Sequence, residues 1–305
     1  MNPALSFENL SQRYGRLEAL HELNLTVPRG SLYALLGPNG AGKTTAIHVL
    51  MNLLAPSEGS AAALGVDSTR LGPAELAQIG YVSENQKLPG WMTVEQLLAF
   101  CKPLYRTWDD DLCRKLMRGF DLAPERKVKS LSRGMKLKAA MVTALAFHPR
   151  LLILDEPFSG LDVVVRDELV RGMLELADQD EWTLFISSHD LEEIENLVDR
   201  VGFLNEGKLL LSEELDQLRA RLCEVEVTLP TDAHIPDEWP AAWLFPQASR
   251  NVIRFTDSDY NEGASAALVA RIFPEATDSS VTPLSLRSIF ITLARQSAGA
   301  AAKEV

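Results

Sequence analysis

Gly37-Pro38-Asn39-Gly40-Ala41-Gly42-Lys43-Thr44-Thr45 is the stretch that decides how this chain folds. It fits G-x-x-x-x-G-K-S/T and lies between an apolar β-run at residues 31–36 and a helical run that begins near Lys43. Glycines at these offsets let successive backbone N–H groups converge on phosphate oxygens, and the helix N-terminus adds the positive end of its dipole. Lys43 then reaches the β and γ phosphates, and Thr44 offers a hydroxyl to Mg²⁺. No N-K-x-D guanine-reading tetrapeptide occurs, which favours ATP over GTP.

Outward from the loop, Leu151-Leu152-Ile153-Leu154-Asp155-Glu156 is four apolar residues ending in two acids. Consecutive apolar residues, without alternation, mark a strand buried on both faces, and its carboxyl end is where open α/β sheets place their ligands. Asp155 is placed to hold Mg²⁺, directly or through water. Glu156 is placed to orient or deprotonate a water for in-line attack on the γ-phosphate. Further strands are expected at residues 31–37, 79–83, 183–187 and 200–205. Between residues 84 and 148 strand signals give way to helical ones at 93–105, 109–120 and 133–148. The fold expected is α/β: a mixed, mainly parallel sheet with a helical subdomain over about 84–148.

Composition bounds the rest. The chain has 305 residues, 46% hydrophobic and 24% charged, with a formal net charge of −12, as in an ordinary globular protein of one large and one small domain. Residues 1–211 are read as the large domain. Residues 212–305, which hold 14 acids and 8 bases, are read as a small C-terminal α/β accessory domain. The longest stretch free of formal charge, residues 44–57, is too short and too polar to span a bilayer. Residues 1–6 lack the basic and apolar parts of a secretory signal, so a cytosolic location is expected. Cys101, Cys113 and Cys223 are too widely spaced for a metal knuckle or a disulfide frame and are expected to be buried free thiols. The acidic balance predicts no nucleic-acid partner, on the reading that Lys and Arg are not clustered.

Tyr14, Gly37–Thr45, Leu131-Ser132-Arg133-Gly134-Met135, Leu151–Glu156, Ser159-Gly160-Leu161-Asp162 and His189 follow one another in the order and spacing of ATP-binding-cassette (ABC) transporter ATPase subunits. The resemblance covers about residues 4–211 and implies a P-loop NTPase cassette that binds ATP and Mg²⁺. It implies that Tyr14 stacks on adenine, that Lys43 and Glu156 serve hydrolysis, and that His189 contacts the γ-phosphate and links it to Glu156. Ser132 and Gly134 resemble the signature motif, which faces the nucleotide bound by an opposite cassette, with Asp162 at the interface. A head-to-tail pair with a second cassette follows.

Three positions depart from the family pattern. Arg133 stands for the usual glycine and Met135 for the usual glutamine. Aligning Ile79-Gly80-Tyr81-Val82-Ser83 without gaps puts Glu84 where most members have glutamine, with Gln86 two residues on. Either side chain could reach Mg²⁺ or the attacking water, and the role is assigned to Glu84.

In the family, the segment from Glu84 to Met92 contacts a membrane permease. Trp91 and Met92 read as exposed there, suited to a docking groove or to packing on the helical subdomain. The single cassette and the run from Pro283 to Phe290 resemble bacterial ABC-2-type exporters. The resemblance therefore implies an ATPase at the cytoplasmic face of the cell membrane, peripheral through its permease. A non-transport ABC ATPase acting on ribosomes or DNA, and a degenerate regulatory partner in a heterodimer, are the alternative readings.

Overall fold

The computed structural model describes residues 3–84, 86–177, 182–190, 194–230, 236 and 238–301. The chain divides into two compact units, Met1–Ser212 and Glu213–Val305.

The first unit opens with β1 (Leu5–Tyr14), β2 (Leu17–Val27) and β3 (Leu32–Leu36), followed by α1 (Lys43–Leu50), β4 (Glu58–Ala63) and β5 (Val66–Asp67). Next come α2 (Pro73–Leu76), β6 (Ile79–Val82), α3 (Val94–Cys101), α4 (Asp110–Gly119) and α5 (Arg133–Leu145). It continues through β7 (Leu151–Asp155), α6 (Val163–Ala177), β8 (Thr183–Ser188), β9 (Arg200–Asn205) and β10 (Lys208–Glu214). A six-stranded sheet in the order β10-β9-β3-β8-β7-β6 is parallel at every pairing from β9 to β6. All five strands expected from the sequence are in it. A second sheet, β2-β1-β4-β5, is antiparallel and was not among the expected strands.

Burial explains the order. Leu151, Leu152, Ile153 and Leu154 are each fully buried, because β7 lies between β6 and β8 with both faces covered. Each such leucine or isoleucine contributes about 1.5–3 kcal/mol of transfer free energy. Leu5, Phe7, Leu10, Leu20, Leu23 and Leu25 turn one face of the antiparallel sheet into the same core as α1 and the parallel strands. Helix α3 starts where Thr93 and Gln96 cap each other reciprocally, and α5 where the Ser132 hydroxyl accepts from Met135 N at 3.2 Å.

The second unit holds α7 (Leu215–Arg221), β11 (Cys223–Thr228), β12 (Trp243–Ser249), β13 (Val252–Asp257), α8 (Glu262–Ile272), β14 (Asp278–Pro283) and α9 (Leu286–Ala301). Its sheet runs β12-β13-β11-β14, antiparallel throughout. Along β11, Cys223, Val225 and Val227 point inward and Glu224 outward, the period-2 signature of a half-covered sheet. Trp243 stacks on Phe255 at 4.1 Å in the core of this unit. Among the described residues no helix is long and apolar enough to cross a membrane.

Candidate functional site

The phosphate-loop segment leaves the carboxyl end of β3 and enters α1. Gly37 passes so close to β9 that a Cβ there would run into the Leu204 carbonyl, and its N–H donates to Ser188 O at 3.2 Å. Gly42, at φ +107°, caps α1; a Cβ at that position would stand 2.5 Å from Ala19 O and 2.7 Å from Leu20 Cδ2. Gly40, at φ +82°, has open space where its Cβ would be. Glycine is required at 37 and 42 by close approach, and at 40 and 42 by backbone conformation.

Lys43 is 5% exposed and points back into its own loop, donating to Gly37 O at 2.7 Å and Pro38 O at 3.1 Å. Its Nζ also lies 2.9 Å from Glu156 Oε1. Glu156 is 7% exposed and sits at φ +48°, a left-handed conformation that costs a non-glycine residue and persists only where its surroundings hold it. They do so here: its N–H meets Ser187 O at 3.2 Å and Ser187 Oγ at 3.0 Å, and its Oε2 lies 2.7 Å from His189 Nδ1. The other carboxylate oxygen, Oε1, is buried and has the Lys43 ion pair without an aligned hydrogen-bond donor. That leaves a lone pair for a water hydrogen.

Beside this pair, Thr44 Oγ1 donates to Asp155 Oδ1 at 3.0 Å, and Ser187 Oγ donates to the same oxygen at 2.7 Å. Hydroxyl and carboxylate are hard oxygen donors of the kind Mg²⁺ takes, and Thr44 and Asp155 would hold it alongside phosphate and water. Among the described residues no group of three or more His, Cys, Asp or Glu side chains could hold a metal by itself. The protein donors therefore fit a cation that arrives with a phosphate ligand.

One cleft of about 450 Å³ is lined by Tyr14, Asn39, Gly40, Ala41, Gly42, Lys43, Thr44, Thr45, Glu84 and Glu156. Tyr14, at the end of β1, is 48% exposed. Gly37 and Pro38 form the back of the loop, Asp155 is buried beneath, and His189 reaches the cleft through Glu156. Ser132, Gly134 and Asp162 do not line it. Ser132 caps α5, Gly134 packs so tightly that an added Cβ would stand 2.8 Å from Val165 Cγ1, and Asp162 Oδ1 accepts from Val164 N at 2.9 Å.

Two residues escaped the sequence reading. Ser187 fixes both Asp155 and the Glu156 backbone, and its only signal was its place two residues before His189. Tyr81, on β6, is held protonated by burial and by the nearby Asp155 charge, with its phenol pushed up to about 12.

Three expectations need correcting. Met92 is buried (7% exposed), because its carbonyl accepts from Val128 N and the chain folds over it; Trp91 alone is exposed, at 72%. Cys113 and Cys223 are buried, but Cys101 is only half-buried, on the last turn of α3. The premise that Lys and Arg are unclustered also fails: residues 126–138 carry six of them and no acid, around the start of α5.

A glycine-rich loop between a parallel strand and a helix, facing two acids at the end of β7 with β8 between the two strands, places this protein among the P-loop nucleoside-triphosphate hydrolases. A family model described as ABC transporter matches residues 20–159. The chain is 35% identical over 213 residues to the lantibiotic transport ATP-binding protein SrtF of Streptococcus pyogenes, an overlap of 70% of this chain and 91% of that protein. It is 35% identical over 226 residues to the bacitracin transport ATP-binding protein BcrA of Bacillus licheniformis, covering 72% of this chain and 73% of that one. A solved ATP-binding subunit of an ABC transporter superposes with a TM-score of 0.64 at 29% identity, covering 71% of this chain and 92% of its own. The chain belongs to the ABC transporter ATP-binding subunits and is an ATPase whose hydrolysis serves transport.

Proposed function

We propose that this protein binds Mg-ATP in the cleft between Tyr14 and Glu156, pairs with a second cassette around it, and powers export through a separate membrane permease. The observation that carries this reading is the buried Lys43–Glu156 pair, with His189 on the outer side of Glu156, beside Thr44 and Asp155. Lys43 is poised to exchange its two loop carbonyls and Glu156 for phosphate oxygens. Glu156 then has one oxygen for a water and one held by His189, which fixes the carboxylate's orientation and takes up positive charge if the water's proton moves toward it. Mg²⁺, held between Thr44 and Asp155, would neutralise phosphate charge when bound. Tyr14 supplies a ring face to the base, and Glu84 a carboxylate at the cleft wall.

Ser132, Gly134 and Asp162, outside the cleft, are assigned to the nucleotide of the opposite cassette. Val163 and Val164, next to Asp162, are 59% and 65% exposed, which suits a surface that closes against a partner. A homodimer supplies both halves. The permease is assigned to the segment from Glu84 to Met92, where Trp91 is the exposed anchor. Such docking would hold the protein at the cytoplasmic face of the cell membrane. The C-terminal unit is assigned an accessory role, and export rests on the lantibiotic and bacitracin transport relatives.

The test is steady-state ATPase activity of wild type against Glu156→Gln, with size in Mg-ATP measured for both. Wild type is expected to turn over, the variant to lose about 10²-fold or more and to run as a dimer. Equal rates, or a variant that stays monomeric, would overturn the roles of Glu156 and Ser132. The basic run at 126–138 favours one rival, a cassette acting on nucleic acid. Stimulation of turnover by DNA or RNA is its readout.

A further inference from the structure

The chain departs from its family's motifs in charge at two positions, and the departures have opposite sign: Glu84 adds an acid and Arg133 adds a base. They are far apart in sequence, yet both line one cavity of about 290 Å³, together with Ser83, Gln86, Lys136 and Leu161. Glu84 lines the nucleotide cleft as well. Its carboxylate therefore stands between the pocket that must take a polyanion and the cavity that holds Arg133.

Arg133 is also anchored. Its Nη1 and Cζ lie 2.9 and 3.5 Å from where a Gly160 Cβ would be, so the guanidinium rests on a residue that has no side chain to exclude it. Gly160, at φ +66°, ends the turn that begins at Glu156. Helix α5 is held against α6 by the Gly134–Val165 contact and by the Lys138–Glu168 ion pair at 2.5 Å, so the backbone at Arg133 is fixed. A cation in the first turn opposes the helix dipole, and α5 has no acid there. Among the described residues no carboxylate lies within ion-pair distance of Arg133. An acid across the cavity offsets that charge without a direct contact.

We propose that Arg133 is a positioning residue of the ATP site: seated on Gly160, in the turn that follows Glu156, it balances the Glu84 carboxylate across their shared cavity. This rests on the ATPase reading above. In the absence of Arg133, Lys136 is the one cation left among the residues lining the cavity with Glu84, so Glu84 faces the nucleotide phosphates with less of its charge offset. Arginine suits the role because its planar fork stacks on a backbone and keeps its charge at any working pH.

The experiment is a double-mutant cycle in the full-length protein: wild type, Arg133→Gly, Glu84→Gln and both together, with Arg133→Lys as the conservative variant. Mg-ATP affinity is read by calorimetry, and kcat and KM by ATPase assay. Arg133→Gly is expected to raise Kd and KM about five-fold, and adding Glu84→Gln to recover most of the loss, a coupling of about three-fold or more. Arg133→Lys should retain most of the affinity, and the wild-type advantage should shrink as salt rises toward ~1 M. Effects that multiply independently, or a lysine variant as weak as the glycine one, overturn the proposal. Circular dichroism confirms that each variant is folded. A wild type that binds Mg-ATP without turnover overturns the ATPase reading alone, and the affinity cycle still decides this proposal; a wild type that binds no Mg-ATP overturns both.

Discussion

Lys43 Nζ lies 2.9 Å from Glu156 Oε1, and both side chains are buried, one on the phosphate loop and one on the turn after β7. A buried pair is costly to break from one side, because the remaining charge is left without a partner. Lys43→Met is therefore expected to lower stability in the absence of nucleotide by about 3 kcal/mol and to abolish Mg-ATP binding. The Lys43→Met, Glu156→Leu double variant should recover part of that stability with no binding. Urea unfolding of the three proteins checks this, and a double variant less stable than the single one contradicts the pairing.

Ser187 serves Asp155 and Glu156 at once, donating to the one at 2.7 Å and accepting from the backbone of the other at 3.0 Å. Ser187→Ala removes one hydrogen bond from each, leaving the Glu156 N–H with the Ser187 carbonyl and Asp155 Oδ1 with Thr44, at a cost of about 0.5–1.5 kcal/mol per bond. Turnover should fall more than affinity, because the left-handed backbone of Glu156 loses one of its supports. Steady-state kinetics with thermal unfolding separate the two effects, and unchanged kcat would remove Ser187 from the site.

Gly42 tolerates no side chain. With φ at +107° and Ala19 O 2.5 Å from the Cβ position, Gly42→Ala must shift the loop or β2. The expected loss is about 2 kcal/mol or more of stability, together with nucleotide binding. Gly40→Ala, where the Cβ space is open, should cost less. Thermal melts with and without Mg-ATP rank the pair, and equal losses would mean that close approach is irrelevant at 42.

Tyr14 lines the cleft and is 48% exposed, and the role proposed for it is base-tolerant stacking. Tyr14→Ala is expected to weaken ATP by about 1–3 kcal/mol, while Tyr14→Phe and Tyr14→Trp leave affinity nearly unchanged. GTP should lose as much as ATP. Calorimetric titration of both nucleotides tests the assignment, and an alanine variant with wild-type affinity would end it.

Two tyrosines contribute to the loss of stability at alkaline pH. Burial, reinforced by the Asp155 charge, pushes the Tyr81 phenol up to about 12, and burial raises Tyr33 further still. In the unfolded chain both ionise near about 10, so unfolding releases protons above that pH. Their contribution is fully present below pH ~10 and is lost as pH rises through the folded values. Urea midpoints measured between pH 9 and 11 should fall for wild type and fall less for Tyr81→Phe; parallel curves would contradict the shift.

The phosphate loop and the two acids after Leu154 were legible because their chemistry is local. Fixed offsets between glycines, a lysine and a hydroxyl need only a strand before and a helix after, and apolar runs announce those. The parallel strands were legible for the same reason, since burial on both faces writes itself as consecutive apolar residues. Strands β1, β2 and β4 were not named, because a half-exposed antiparallel strand mixes polar residues with apolar ones and β1 carries register shifts that break the alternation. Met92 was misread because its burial depends on residues around 128 folding back over it.

The sequence by itself determined the class of chemistry: which residues can hold phosphate, which acids can serve a metal and a water, and in what order they come. Only the tertiary structure decided which of them meet. It placed Lys43 against Glu156, put Ser187 under both acids, and separated Ser132 and Gly134 from the cleft. It also brought Glu84 and Arg133 to one cavity. Spacing along a chain fixes what a loop can reach by itself. Contacts between distant segments depend on how the sheet and the helices stack, and that is set by the summed burial of many side chains, with no local signal for any one of them.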